Sequence, residues 1–189
     1  MGYTTKFYGK FEFNKPVSFE LATYINTFSS VRHIKRNNFK IMEKYPRWYE
    51  MCFHEKLGSE GEYFIGNTEY TNDPSVIDYN CQPRKQPGLW CQWIVSKDHK
   101  YLMWDGAEKF YNYIEWLDYI ITNFIEPDEN QYLLNGNVLW KGDEHSDTGV
   151  ISIKNNEISA YYDLHRFKKD FGEAELAQLE GLELEFCDV

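Results

Sequence analysis

The chain reads as an α+β domain with a mostly antiparallel sheet, two main helices on one face and an acidic C-terminal helical appendage. Three observations predict this. The first 13 residues alternate in polarity as a half-buried strand does. Two later stretches place apolar residues at helical spacing. The order along the chain is strand, helix, short strand, hairpin, helix and three strands, which suits helices laid on an antiparallel sheet.

In the first segment Tyr3, Thr5, Phe7, Gly9, Phe11 and Phe13 share one face, with Thr4, Lys6, Tyr8, Lys10 and Glu12 on the other. Asn14-Lys15-Pro16 ends it, and Ser18 is a suitable N-cap for a helix carrying Leu21, Ile25 and Phe28. From Val31 to Leu57 the pattern is mixed, with helix favoured from Phe39 to Phe53. Glu62 to Ile65 predicts a short strand. Residues 67–88 are polar and nearly aperiodic, a length that marks a functional loop in a compact domain. Leu89–Ser96 and Lys100–Trp104 flank Lys97-Asp98-His99 as a hairpin. Asp105 and Glu108 then have capping-box spacing before a helix with Phe110, Tyr113, Ile114, Leu117, Ile121 and Phe124 on one face, stopped by Pro127. Tyr132–Lys141 and Val150–Tyr162 predict three strands, the last two turning at Asn155-Asn156. Gly136-Asn137-Val138-Leu139-Trp140 faintly echoes Gly9-Lys10-Phe11-Glu12-Phe13. Residues 1–162 thus form one domain, and residues 163–189 an acidic extension, helical from Leu164.

The 189 residues include 13 Phe, 15 Tyr and 6 Trp, an aromatic content that excludes a disordered chain. No apolar run approaches the roughly 18 residues that span a bilayer. The amino terminus lacks a signal-peptide core, and Lys6 stands where myristoylation requires Ser or Thr. Cys52, Cys81, Cys91 and Cys187 are scattered without a C-x-x-C pair, which predicts reduced thiols and a cytoplasmic protein. The net charge is −10, unevenly spread. Residues 32–56 hold seven bases against three acids, a local +4 that leaves −14 elsewhere; residues 172–189 hold six acids and no base. Nonspecific duplex DNA binding is disfavoured, because phosphate contacts need a basic surface.

G-x-S-x-G, H-E-x-x-H, P-loop and G-x-G-x-x-G motifs are missing. Three constellations remain. Asp143, His145 and Asp147 alternate in a loop and offer a weak cation site, set against a plain solvated loop. The basic stretch brings Arg32, Lys35, Arg36 and Arg47 near Trp48, cations for phosphate beside an aromatic face; an amphipathic helix explains the same pattern. Finally Asp78, Tyr79, Asn80, Arg84, Trp90, Trp93 and Trp104 cluster within 27 residues of chain. Trp90 and Trp93 have opposite strand parity, so at most one of them faces the core, and the other is exposed or covered by the 67–88 loop.

Several blocks carry a resemblance: Gly2-Tyr3-Thr4-Thr5, Gly61-Glu62-Tyr63-Phe64, Asp78-Tyr79-Asn80, Gln86-Pro87-Gly88-Leu89-Trp90-Cys91-Gln92-Trp93, and Trp104-Asp105-Gly106-Ala107-Glu108-Lys109-Phe110-Tyr111. Over roughly residues 2–160 they resemble a family of small bacteriophage and bacterial proteins to which no activity is assigned. The 31–57 region and the carboxyl end depart from it. The resemblance implies an accessory protein of a phage or mobile element, acting in the host cytoplasm, and no catalytic residue carries over.

Three readings of function follow. The first is a non-enzymatic binding or inhibitor protein, directed at a host protein or a component of a bacterial defence system and needing no cofactor. The second is a binder that sequesters a nucleotide-type small molecule through the arginines and a stacking aromatic. The third is a metal-dependent hydrolase at Asp143, His145 and Asp147.

Overall fold

The computed structural model describes residues 3–50, 56–66, 72–144 and 146–186. Nine strands and five α-helices make an α+β fold, and every strand pairing among these residues is antiparallel. The opening alternation becomes two strands, β1 (Thr5–Gly9) and β2 (Phe11–Phe13). β3 (Lys35–Arg36) and β4 (Val76–Asp78) form a separate pair. β5 (Trp93–Val95) and β6 (Tyr101–Trp104) are the expected hairpin. β7 (Leu134–Gly142), β8 (Thr148–Lys154) and β9 (Glu157–Tyr161) complete the main sheet. Its order is β5-β6-β2-β7-β8-β9, with β1 also paired to β7.

β1 and β2 share one register against β7, from Thr5 opposite Gly142 to Phe13 opposite Leu134, with a break at Lys10. Beyond the break β2 also pairs with β6. Gly9 (φ +109°) and Gly136 (φ +135°) make the bend possible. A Cβ on Gly9 would lie 2.7 Å from the Asn137 carbonyl oxygen, and one on Gly136 3.0 Å from that of Lys10. The echo between the two segments therefore marks two glycines at one bend of the sheet. At the other end of the ladder, Asn155 (φ 50°) and Asn156 (φ 72°) form the left-handed turn that joins β8 to β9.

Helix α1 (Phe19–Ser30) starts where the sequence places it, with the Ser18 hydroxyl accepting the Leu21 N–H. With α3 (Tyr113–Ile120) it covers one face of the sheet, where Phe7, Phe11, Trp93, Val138 and Trp140 meet Ile25, Phe28, Trp116 and Phe124. Ring centroids of Phe7 lie 4.9–5.7 Å from those of Trp93, Phe110 and Tyr113, in edge-to-face contact.

The opposite face is covered too. Tyr8, Leu139 and Val150 point away from α1 and α3 and pack on Phe167, Leu176 and Leu179. These come from α4 (Leu164–Phe171) and α5 (Glu173–Phe186). β1 is therefore buried on both sides, and Tyr8, which alternation assigns to water, is only 6% exposed. Among the described residues, no helix is long and apolar enough to cross a membrane.

Three elements depart from expectation. The second main helix begins at Tyr113, not at Asp105. Asp105 caps only a turn, accepting the Ala107 N–H at 2.8 Å, and left-handed Lys109 (φ 62°) and Asn112 (φ 55°) forbid helix between them. Glu62–Ile65 is no strand: a 3₁₀ turn at Ser59–Gly61 precedes it, and the Glu62 carboxylate folds back onto the Ser59 N–H. The helix expected over 39–53 is the shorter α2 (Asn38–Lys44), followed after Pro46 by a 3₁₀ turn at Trp48–Glu50; residues 51–53 lie outside the described range.

The described part of the long polar connection, from residue 72, is tied to the basic stretch by one buried charge. Asp73 accepts from the Arg36 guanidinium at 2.6 Å, the Tyr45 hydroxyl at 3.0 Å and the Ser75 N–H at 2.9 Å, with Lys44 Nζ at 3.4 Å. Arg36 and Asp73 are both buried. Asp73→Asn leaves a buried guanidinium without its counter-ion and is expected to cost about 3–5 kcal/mol in denaturant unfolding.

On the second face, Phe167→Ala is expected to cost about 3–5 kcal/mol, as for any fully buried aromatic. A cost under about 1 kcal/mol would mean that α4 and α5 do not share the sheet's cooperative unit. His33 gives a pH prediction. Its ring is buried, which pushes its pKa down to about 3, partly opposed by a hydrogen bond to the Phe28 backbone. Between the ordinary histidine value near 6.5 and about 3 the unfolded chain binds a proton that the fold does not. Stability therefore falls with falling pH in that window, by roughly 1.4 kcal/mol per unit. His33→Gln should flatten the slope between pH 6.5 and 5, measured by urea unfolding.

Candidate functional site

Two irregular segments, Pro87–Gln92 before β5 and Ala107–Asn112 before α3, face each other across a groove of about 550 Å³. Each is irregular for a local reason: the first starts at Pro87, and the second is interrupted by its two left-handed residues. Trp90 and Tyr111 line the groove and remain 42% and 54% exposed.

The walls are tied together by hydrogen bonds. Asn112 Nδ2 donates to the Pro87 carbonyl at 2.6 Å, and Gln92 Nε2 to that of Glu108 at 2.9 Å. The Asp105 N–H donates to the Gln92 carbonyl at 3.0 Å. Beneath them the Trp104 indole N–H lies 3.1 Å from both Gln92 Oε1 and the Ala107 carbonyl, with the ring against Phe7. Left-handed Asn112 thus carries one of the bonds that tie the two walls of the groove together. Its polar lining consists of amides, with Glu108 and Lys109 as the charged groups. A shaped apolar slot with amide donors and acceptors suits binding and orientation.

Arg32 stands beside this groove. Its guanidinium lies 4.4 Å from the Tyr79 ring centroid and 5.7 Å from that of Trp90, and Nε donates to the Tyr79 carbonyl at 3.2 Å. Tyr79 is 45% exposed. The structure therefore brings Arg32, Tyr79, Trp90 and Trp104 to one region.

Other sequence candidates go elsewhere. Arg36 is corrected from a surface anion ligand to the buried partner of Asp73. Trp93 is fully buried, its indole N–H on the Tyr113 carbonyl, so it belongs to the core and Trp90 to the surface, as their parity requires. Lys35 pairs with Glu60 at 3.7 Å, and exposed Arg47 lies 3.8 Å from Glu50. Trp48 packs against the satellite core of Ile41, Leu57 and Phe64, away from Trp90. Asp78 is held below the usual carboxylate range by the Asn80 N–H and the Cys81 thiol, so it caps a turn. Asn80 and Arg84 are exposed, and the Arg84 N–H donates to Glu60. Cys81 and Cys91 are free thiols, and burial pushes Cys91 up to about 12; Cys52 and Cys187 lie outside the described residues.

In the proposed cation loop, the Thr4 N–H binds Asp143, while the Tyr3 hydroxyl and the Trp140 indole bind Asp147. Both carboxylates thereby fasten strand ends. His145 lies outside the described residues, and among those described no cluster of three or more His, Cys, Asp or Glu is arranged to hold a metal.

Sequence reasoning missed Tyr111, Gln92 and Asn112. A signal was present, because the Gln86–Trp93 and Trp104–Tyr111 blocks are the two walls. No family model, curated protein or solved structure matches this chain.

Proposed function

We propose that this chain is a non-enzymatic binding protein that holds a segment of a partner protein in the groove between residues 87–92 and 107–112. One observation carries the reading: Trp90 and Tyr111, large aromatics that a fold would ordinarily bury, are exposed in a slot whose walls are hydrogen-bonded in place. Preformed aromatic clefts of this kind concentrate binding energy, because little conformational entropy is lost on docking. The segment it suits carries an apolar side chain for the slot and a carboxylate within reach of Arg32 and Lys109. In the setting that the resemblance implies, the partner is a host factor such as a component of a bacterial defence system, and binding blocks it.

The test is affinity capture of a partner from host extract, followed by titration of that partner against variants. Trp90→Ala and Tyr111→Ala are expected to weaken binding at least tenfold. Phe19→Ala removes a still more exposed aromatic (69% exposed) from the start of α1 and should leave binding unchanged. Equal binding by the Trp90→Ala/Tyr111→Ala double variant would overturn the assignment.

A further inference from the structure

The groove between residues 87–92 and 107–112 offers donors more freely than acceptors, and that imbalance narrows what fits it. The carbonyls of Pro87, Leu89, Gln92, Ala107, Glu108 and Asn112 each already accept a hydrogen bond. The donors, in the same order, are Asn112 Nδ2, the His33 N–H, the Asp105 N–H, the Trp104 indole, Gln92 Nε2 and the Trp116 N–H. Gln92 Oε1 is taken by the Trp104 indole as well. On the lining, side-chain acceptors remain on exposed Glu108 and on Gln82, Asn112 and Tyr111.

The donors stand at the surface of the slot. The indole N–H of Trp90, a residue 42% exposed, has no partner among the described residues. The Tyr111 hydroxyl reaches the Tyr3 carbonyl only at 3.4 Å. Exposed Lys109 adds an ammonium on the lining, and the Arg32 guanidinium lies 5.7 Å from the Trp90 ring.

Three forms of peptide meet such a lining differently. An extended segment of ordinary residues presents N–H and C=O alike, and its N–H groups would leave water for walls whose carbonyls are in use. A helix satisfies both within itself and offers nothing to the Trp90 and Tyr111 donors. A proline-rich segment is the complement. Proline has no N–H to lose, and the polyproline II helix makes no internal hydrogen bonds, so its carbonyls face outward as acceptors. Its rings pack on aromatic faces, here Trp90 and Tyr111 on opposite walls. The shape exists before docking, so little entropy is lost in a groove that is itself held rigid.

We propose that the groove recognises a proline-rich segment in polyproline II geometry, with an acidic residue beside the prolines. The inference rests on the reading of this groove as the partner-binding site and names what it holds. The Trp90 indole and the Tyr111 hydroxyl donate to carbonyls of the segment. The acid follows from charge, since Arg32 and Lys109 outnumber Glu108 at the groove. The chain's overall −10 is screened beyond about 8 Å at physiological salt, so these near cations decide.

Fluorescence anisotropy of labelled peptides with the full chain tests it. The probes are an oligoproline ending in two glutamates, the same oligoproline ending in two lysines, a glycine–serine chain ending in two glutamates, and a stapled alanine-rich helix with the same two glutamates. The acidic oligoproline is expected to bind at least tenfold more tightly than the glycine–serine and helical peptides, and several-fold more tightly than its lysine counterpart. Trp90→Ala/Tyr111→Ala should lower that affinity at least tenfold. Trp90→Phe, which keeps a ring and removes the N–H, should lower it about fivefold. Phe19→Ala should leave it unchanged. No binding of either oligoproline at millimolar concentration, affinity no better than that of the flexible or helical peptide, or full affinity in the double variant would each overturn the inference. Equal affinity for the lysine-ended probe would overturn its acidic part. The groove assignment is judged separately. A partner captured from host extract that needs Trp90 and Tyr111, while no oligoproline binds, sinks this inference and leaves the groove standing; capture indifferent to the double variant sinks the groove assignment itself.

Discussion

The ladder between β1–β2 and β7 is the constraint on which the rest of the structure depends. Because one register runs from Thr5 to Phe13 across the glycine bend, side-chain parity sorts the molecule into two cores. Phe7, Phe11 and Phe13 go with Val138 and Trp140 to α1 and α3, while Tyr8 and Leu139 go to α4 and α5. A slip of one residue would exchange these sets and present Lys6 and Glu12 to the aromatic core. Burial on both sides thus pins the register, and the register in turn positions β6 and the walls that follow it. The bend lets β2 leave β1's path and pair with β6, which carries Trp104 beneath the groove.

How much of this is legible in the sequence depends on whether a residue's environment is local. The N-cap at Ser18, the Asn155-Asn156 turn, the β5–β6 hairpin and the parity of Trp90 and Trp93 follow from short-range chemistry, and the structure agrees with each. Tyr8 was not legible. An alternating strand looks the same whether its polar-seeming face meets water or another layer, and the covering helices begin only at Leu164. The false helix start at Asp105 has a different cause. The spacing of Asp105 and Glu108 is right, but Lys109 and Asn112 adopt left-handed backbone, Asn112 bonding the Pro87 carbonyl on the opposite wall, and backbone of that kind leaves no periodic trace.

The basic stretch shows how charge read along a chain misleads. Its local +4 suggested a free anion surface, yet Arg36 and Lys44 converge on Asp73, Lys35 meets Glu60 and Arg47 meets Glu50. Asp73 from the polar connection and Glu60 just before it offset part of the charge, and Glu50 lies within the stretch itself. Asp73 does for that connection what a ladder does for a strand, because a buried carboxylate tolerates no loss of its donors. The basic stretch and the polar loop, read separately in sequence, are halves of one electrostatic unit. Lys40, Arg47 and Lys56 remain at the surface.

The segment Lys85-Gln86-Pro87 is the wall between the aromatic groove and a second cleft. Lys85 borders that cleft, beside Glu62, and Pro87 the groove. It is held from both directions, by Gln86 Nε2 on the Glu62 carbonyl at 2.6 Å and by Asn112 Nδ2 on the Pro87 carbonyl at 2.6 Å. Moving this wall would break a short hydrogen bond on each side. That stiffness favours binding in the groove, since a partner segment would not have to order its own pocket before docking.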